Sequence, residues 1–190
     1  MYCLLCGNFS FNHICKKCKK EFLKPSLYKR VIDSDFEVYS FYKYSAIKNL
    51  ILTKHKFVGY FIYHILARES FQKFAKEFKF TDQIYSFACD DHIKSGYSHT
   101  AILNKYLNST FIKPVYSVLR AQNQVNYSGK SLQFRESNPR NFKYSYRSNI
   151  DAIIVDDIIT TGTTIKEAKK TLEANGVNLL FALTLADARE

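Results

Sequence analysis

Apolar residues recur along the chain in two rhythms, and the alternation between them outlines the fold. Between Tyr44 and Leu52, Ile47, Leu50 and Ile51 fall on one helical face, and Ala67, Phe71, Phe74, Ala75 and Phe78 keep the i, i+4, i+7, i+8, i+11 spacing of another amphipathic helix. Ile84 to Phe87 reads as a short buried strand, Ala101 to Leu107 as part of a helix, and Val115 to Leu119 as a further strand. From Arg120 to Asn149 the chain is polar, holds Gly129 and Pro139, and shows no sustained period. A loop of that length inside a compact domain is usually functional or mobile. Ala152 to Val155 is apolar on both faces, as a central parallel strand requires. Ile165, Ala168 and Leu172 then form the stripe of a helix that stops at Gly176, and Val177 to Ala186 resumes as a buried strand. With no internal repeat, this alternation predicts an α/β fold, a mostly parallel sheet flanked by helices.

Composition narrows the picture. The chain has 190 residues, 46% of them apolar, enough for one sizeable core and a small appendage. We expect a short N-terminal module, residues 1–30, on a main domain, residues 31–190. The formal charge of +11 is uneven, because residues 151–190 carry 4 basic and 7 acidic side chains, which leaves 24 basic and 10 acidic for residues 1–150. A basic body with 14 Tyr and 16 Phe suits an anionic polymer as partner, although a compositional bias of the genome gives the same profile. The start, MYCLLCGNF, lacks the basic beginning and long apolar run of a secretory signal, and the patch Phe57 to Ala67 is too short to span a bilayer. A cytoplasmic protein is the expectation.

Four of the five cysteines agree with a reducing compartment. They read Cys3-x2-Cys6-x8-Cys15-x2-Cys18, two pairs that can each present two thiolates to one tetrahedral zinc ion. Four free thiols or two disulfides are the alternatives. So short a segment has little core of its own, so the metal would supply its folding energy. His13 in the intervening loop is expected to face solvent, and Cys89 to be a small buried side chain. Lys16, Lys17, Lys19 and Lys20, with Lys24, Lys29 and Arg30 further on, surround the cysteines and are opposed only by Glu21. Such a run is either a surface for nucleic-acid phosphates or a solvated charge run beside a stabilising knuckle.

The most informative stretch is Asp151 to Ala168, where an apolar strand meets two carboxylates, Asp156 and Asp157, and then Thr160, Thr161, Gly162, Thr163 and Thr164. Asp156 to Thr164 is expected as the turn between strand and helix. At the carboxyl end of a parallel strand, the N–H groups of such a turn and the positive end of the next helix make an anion cradle. There is no P-loop lysine and no set of three spaced glycines, so neither nucleotide fingerprint applies. Acids just before the cradle would repel a triphosphate but suit the vicinal hydroxyls of a sugar whose phosphate lies farther along. The implied ligand is a ribose 5-phosphate.

Val155 to Thr164, V-D-D-I-I-T-T-G-T-T, resembles the 5-phosphoribosyl 1-diphosphate (PRPP) motif of type I phosphoribosyltransferases. With the N-terminal four-cysteine element, the layout further resembles the ComF family of competence proteins; the likeness is close only over residues 150–186. The resemblance implies a type I phosphoribosyltransferase-like fold with a small zinc-binding module, Asp156 and Asp157 on the ribose hydroxyls, and Thr160 to Thr164 on the 5-phosphate. It implies a pyrophosphate-facing loop at Asp90, Asp91, His92 and Lys94, although Ser95-Gly96-Tyr97-Ser98-His99 keeps only the glycine and an aromatic of the family's next segment. It implies a closing lid with Arg120, Gln124 and Arg135. Structural Zn2+ and PRPP-bound Mg2+ are the implied cofactors. Single-stranded DNA is the implied partner during natural transformation, with the inner-membrane translocation machinery a further candidate. The alternative is a transferase acting on a nucleobase or small amine. Thr160 occupies the place where purine-salvage relatives carry an acid acting on the base, which narrows the acceptors.

Overall fold

The strand that carries the acid pair is the middle of the molecule. The structure, a computed structural model, describes residues 1–90, 96–125, 127, 129 and 131–189. In chain order it contains α1 (Lys16–Phe22), β1 (Tyr28–Ile32), β2 (Phe36–Lys43), α2 (Tyr44–Ile51), a 3-10 turn (Leu52–His55), α3 (Phe57–Glu69), α4 (Phe71–Glu77), β3 (Ile84–Ala88) and α5 (His99–Lys105). There follow β4 (Ile112–Val115), β5 (Leu119–Ala121), α6 (Leu132–Ser137), β6 (Phe142–Tyr144), β7 (Ile150–Ile159), α7 (Thr163–Ala174) and β8 (Val177–Asp187). The main sheet runs β1-β2-β8-β7-β3-β4, and only the β1–β2 hairpin is antiparallel within it. The expected α/β architecture with a mostly parallel sheet is therefore the one observed.

Alternation along β7 divides the core in two. Ile153 and Val155 pack with Ile47, Leu50, Tyr63 and Leu66 of α2 and α3, whereas Ala152 and Ile154 pack with Ile165, Ala168 and Leu172 of α7. Cys3, Ile14, Cys18 and Leu23 of the N-terminal region join the first of these clusters.

Four expectations are corrected. The helical pattern from Ala67 to Phe78 is broken at Ser70, whose hydroxyl donates to the Leu66 carbonyl at 2.7 Å, a local bond that competes with helix continuation. The apolar run Val115 to Leu119 is no single strand: Ser117 adopts φ +60°, and the chain passes from β4 in the main sheet to β5, which pairs with β6 in a separate ribbon. That ribbon and α6 give the polar stretch 120–149 structure of its own, carried by too few residues to show a period. Finally, Asp156 and Asp157 lie in β7 and not in the turn, since the strand continues to Ile159, with Asp156 opposite Thr184 and Ile159 opposite Asp187. The β1–β2 hairpin has no counterpart in the expectations, although its buried and exposed residues alternate around the turn at Asp33 and Ser34.

Candidate functional site

Both carboxylates lie near the end of the central strand, before Ile158 and Ile159, in buried surroundings, Asp156 at 7% and Asp157 at 6% exposure. Burial disfavours two adjacent negative charges, and the surroundings settle the conflict by treating the two unequally. Asp157 Oδ2 accepts from Lys54 Nζ at 2.7 Å and from Tyr63 OH at 3.3 Å, and lies 3.3 Å from His99 Nε2. Burial alone would raise its pKa, but Lys54 and His99 hold it well below the usual carboxylate range. Asp156 accepts the Asp157 N–H at 2.8 Å, and burial together with the Asp157 charge pushes it up to about 7. One acid is therefore firmly ionised, while the other titrates near neutrality.

Sequence reasoning missed Lys54, Tyr63 and His99 as partners, because they lie 103, 94 and about 60 positions away and no spacing connects them. One local signal existed. Gly59 in α3 sits so close to the 3-10 turn that a Cβ there would meet the Thr53 carbonyl oxygen at 2.1 Å and the Tyr97 hydroxyl at 2.3 Å. The Tyr97 hydroxyl in turn donates to the Lys54 carbonyl at 2.8 Å. A glycine inside a helix can mark close backbone approach, and here, in the first turn of α3, the approach positions Lys54.

The expected phosphate turn lies between β7 and α7. Gly162 has φ +85° and precedes α7, whose first N–H groups lack intrahelical partners. The Thr161 and Thr163 hydroxyls are 2.9 Å apart, and Thr160, Thr161, Thr163 and Thr164 are all half-buried. The Thr160 carbonyl accepts from Arg30 Nη1 at 2.6 Å, and its hydroxyl accepts from Arg135. Arg30, grouped above with the solvated cations, is in fact 8% exposed and paired with Asp187.

The remaining candidates divide. Asp90, just past β3, accepts from Ser98 Oγ at 3.0 Å and Thr100 Oγ1 at 3.4 Å, and burial raises its pKa. Asp91, His92 and Lys94 lie outside the described residues. Of the lid residues, Arg135 reaches the turn; Arg120 is exposed and bridges Asp90 through the backbone, and Gln124 is exposed. The segment carrying Arg135 is tied to α7, since Tyr127 OH donates to Glu167 Oε1 at 3.1 Å and the Arg140 N–H donates to Glu167 Oε2 at 2.8 Å.

In the N-terminal region, the sulfurs of Cys3, Cys6, Cys15 and Cys18 all lie within 4.8 Å of one another, with Cys6 and Cys15 at 3.9 Å. Four sulfurs about 2.3 Å from one tetrahedral Zn2+ are about 3.8 Å apart, so the cluster fits that ion. Burial would raise the Cys3 thiol, yet N–H groups of Cys15, Cys6 and Leu5 bring it down to about 6. His13 is not solvent-facing; it is half-buried, with its ring 4.8 Å from that of Phe61. Cys89 is buried, as expected. Lys16, Lys17 and Lys20 are exposed and Lys19 half-buried on α1. An aromatic series, Tyr2, Phe9 and Phe11 on the cysteine module and Phe57, Tyr60 and Phe61 on α3, is exposed nearby.

Similar solved structures include the UMP synthase of Leishmania donovani, with 14% identity over 90% of this chain and 31% of that one and a TM-score of 0.42. The orotate phosphoribosyltransferase of Mycobacterium tuberculosis H37Rv gives 10% identity over 90% and 82% at 0.41, and a hypoxanthine phosphoribosyltransferase of Staphylococcus aureus 18% over 66% and 62% at 0.41. The chain thus spans under a third of the first structure and about three fifths of the last. The sequence matches no family model, and a search of curated proteins finds no relative.

Proposed function

We propose that this chain is a ComF-like competence protein that binds PRPP with Mg2+ and single-stranded DNA during DNA uptake. The observation that carries the PRPP half is the succession at the carboxyl end of β7: two buried acids, then a positive-φ glycine turn rich in hydroxyls at a helix start. Asp156 and Asp157 take the ribose diol, and the turn from Thr160 to Thr164 takes the 5-phosphate through N–H and O–H donors. Arg135 is placed beside Thr160 to close over the ligand. Among the described residues only the cysteines form a group able to hold a metal by themselves, so Mg2+ fits here as an ion shared between a carboxylate and the ligand's diphosphate. When bound, it neutralises the diphosphate charge.

The DNA half is supported by the lysines of α1 and by the exposed aromatic side chains of the cysteine module and α3, because rings stack on bases without sequence preference while Lys and Arg follow the phosphates. The Cys3, Cys6, Cys15, Cys18 module, with Zn2+, is the scaffold of this surface.

Calorimetry with PRPP and Mg2+ tests the first half: Asp156→Asn with Asp157→Asn abolishes binding, and intact affinity refutes the assignment. Fluorescence polarisation tests the second. Single strands bind at micromolar or tighter affinity in low salt, and reversing Lys16, Lys17, Lys19 and Lys20 to Glu weakens them; absence of binding at low salt removes the DNA reading.

A transferase reading draws on one specific feature, the carboxyl of Asp156 that titrates at about 7. A group poised there is suited to proton transfer with an acceptor nitrogen. Pyrophosphate release from PRPP on adding nucleobases or small amines, lost in Asp156→Asn, supports turnover; a blank across acceptors defeats it.

A further inference from the structure

A second hollow opens at the same end of the sheet, on the β1–β2–β8 side of Thr160. Lys29, Arg30 and Lys43 from the hairpin and Asp187 and Arg189 from the end of β8 line it, and it encloses about 390 Å³. That is room for a phosphate with a sugar attached. The floor is the buried guanidinium of Arg30. Its Nη1 donates to the Thr160 carbonyl at 2.6 Å and to Asp187 Oδ1 at 3.2 Å, while its buried Nε has no hydrogen-bond partner among the described residues. Asp187 Oδ1 also accepts the Arg189 N–H at 2.8 Å, so one carboxylate serves several donors. Lys29 is paired with Glu37; Lys43 and Arg189 are exposed at the rim. Setting that pair aside, three cations face one carboxylate among the described residues that line the cavity. A guanidinium held rigid at the base and mobile cations above it form an arrangement suited to phosphate oxygens.

We propose that this hollow is a second phosphate site, distinct from the turn at Thr160 to Thr164, that takes the phosphate group of a nucleotide or of free phosphate on Arg30, Lys43 and Arg189. Neither the acid pair nor the threonine turn lines it, and Arg30 is the one residue the two places share. The assignment rests on reading the turn as a phosphate site only in calling this one the second.

The full zinc-loaded chain is titrated calorimetrically with inorganic phosphate and with adenosine 5′-monophosphate, each with and without saturating PRPP and Mg2+. Binding persists in the presence of PRPP. Lys43→Glu with Arg189→Glu weakens the probes at least tenfold and leaves PRPP affinity within twofold, whereas Arg30→Lys weakens both ligands. Tighter binding of the nucleotide than of phosphate identifies a nucleotide as the source; equal binding identifies the free ion. Probe binding that PRPP abolishes and the double variant leaves unchanged overturns the proposal, as does failure of both probes to bind. If PRPP itself does not bind, the turn assignment fails, but the dependence of the probes on Lys43 and Arg189 still decides this one.

Discussion

The cysteine cluster and the acid pair are both sets of side chains with like charge that the fold forces together, but they resolve the repulsion in opposite ways. The cysteines come from 16 consecutive positions, and a cation at their centre would relieve all four thiolates at once. The acids come from one strand, and cations recruited from distant parts of the chain, Lys54 above all, relieve Asp157 far more than Asp156, where burial and the neighbouring charge prevail. A local cluster is legible because its spacing is its geometry, whereas a site completed by long-range partners shows only the half that is contiguous.

The largest effect expected from breaking the comparison is at the cysteines. Chelation, or Cys3→Ser with Cys18→Ser, removes the metal that organises this segment, and structural zinc binding is worth roughly 10 kcal/mol or more in small zinc modules. Since Cys3, Ile14, Cys18 and Leu23 share a core cluster with α2 and α3, the loss should spread into the main domain. One equivalent of zinc by elemental analysis and a large fall in Tm after chelation are expected; an unchanged Tm breaks the idea.

Next come the two acids, which should respond with opposite signs. Asp157→Asn strands the Lys54 ammonium and costs about 3 kcal/mol, the low end for a buried pair because the Lys54 side chain is 22% exposed. For Asp156 the pKa is raised, to about 7, so the folded state holds a proton that the unfolded chain has already released above about pH 4. Stability therefore falls as pH rises from about 4 to 7, and the cost is complete above 7. Asp156→Asn removes this cost: the variant should be more stable than the parent at pH 8, nearly equal to it at pH 4, and impaired in PRPP binding. Asp157, with its lowered pKa, contributes stability above the ordinary carboxylate range that is lost only in strong acid. Denaturant titrations at pH 4, 6 and 8 separate the two.

The smallest effects sharpen the role of two glycines. Gly59→Ala presses against the Thr53 backbone and should cost up to about 3 kcal/mol, shifting Lys54 and with it the Asp157 pKa. Gly162→Ala meets Ile32 only at ordinary contact, 3.4 Å, so its cost is the positive φ alone, about 1–2 kcal/mol, while PRPP affinity falls with the distorted turn. Equal losses of stability in the two variants contradict this difference.

Read alone, the sequence determined the features whose cause is short-range. The spacing of Cys3, Cys6, Cys15 and Cys18 fixed a four-sulfur cluster. The doubly apolar run at Ala152 to Val155 fixed a central parallel strand, and Gly162 among threonines fixed the turn that follows. It did not reveal that β7 runs on through both acids, because carboxylates are poor strand formers and only pairing with β8 holds them there. Nor did it reveal the α6 and β5–β6 segment, too short to show a rhythm. What only the tertiary structure decided is which charges meet. Lys54 reaches Asp157, Arg30 is buried between Thr160 and Asp187, and Arg135 but not Gln124 arrives at the turn. Charge pairing depends on distance in space and carries no periodicity along the chain, so the partners of a buried ion become visible only once the chain is folded.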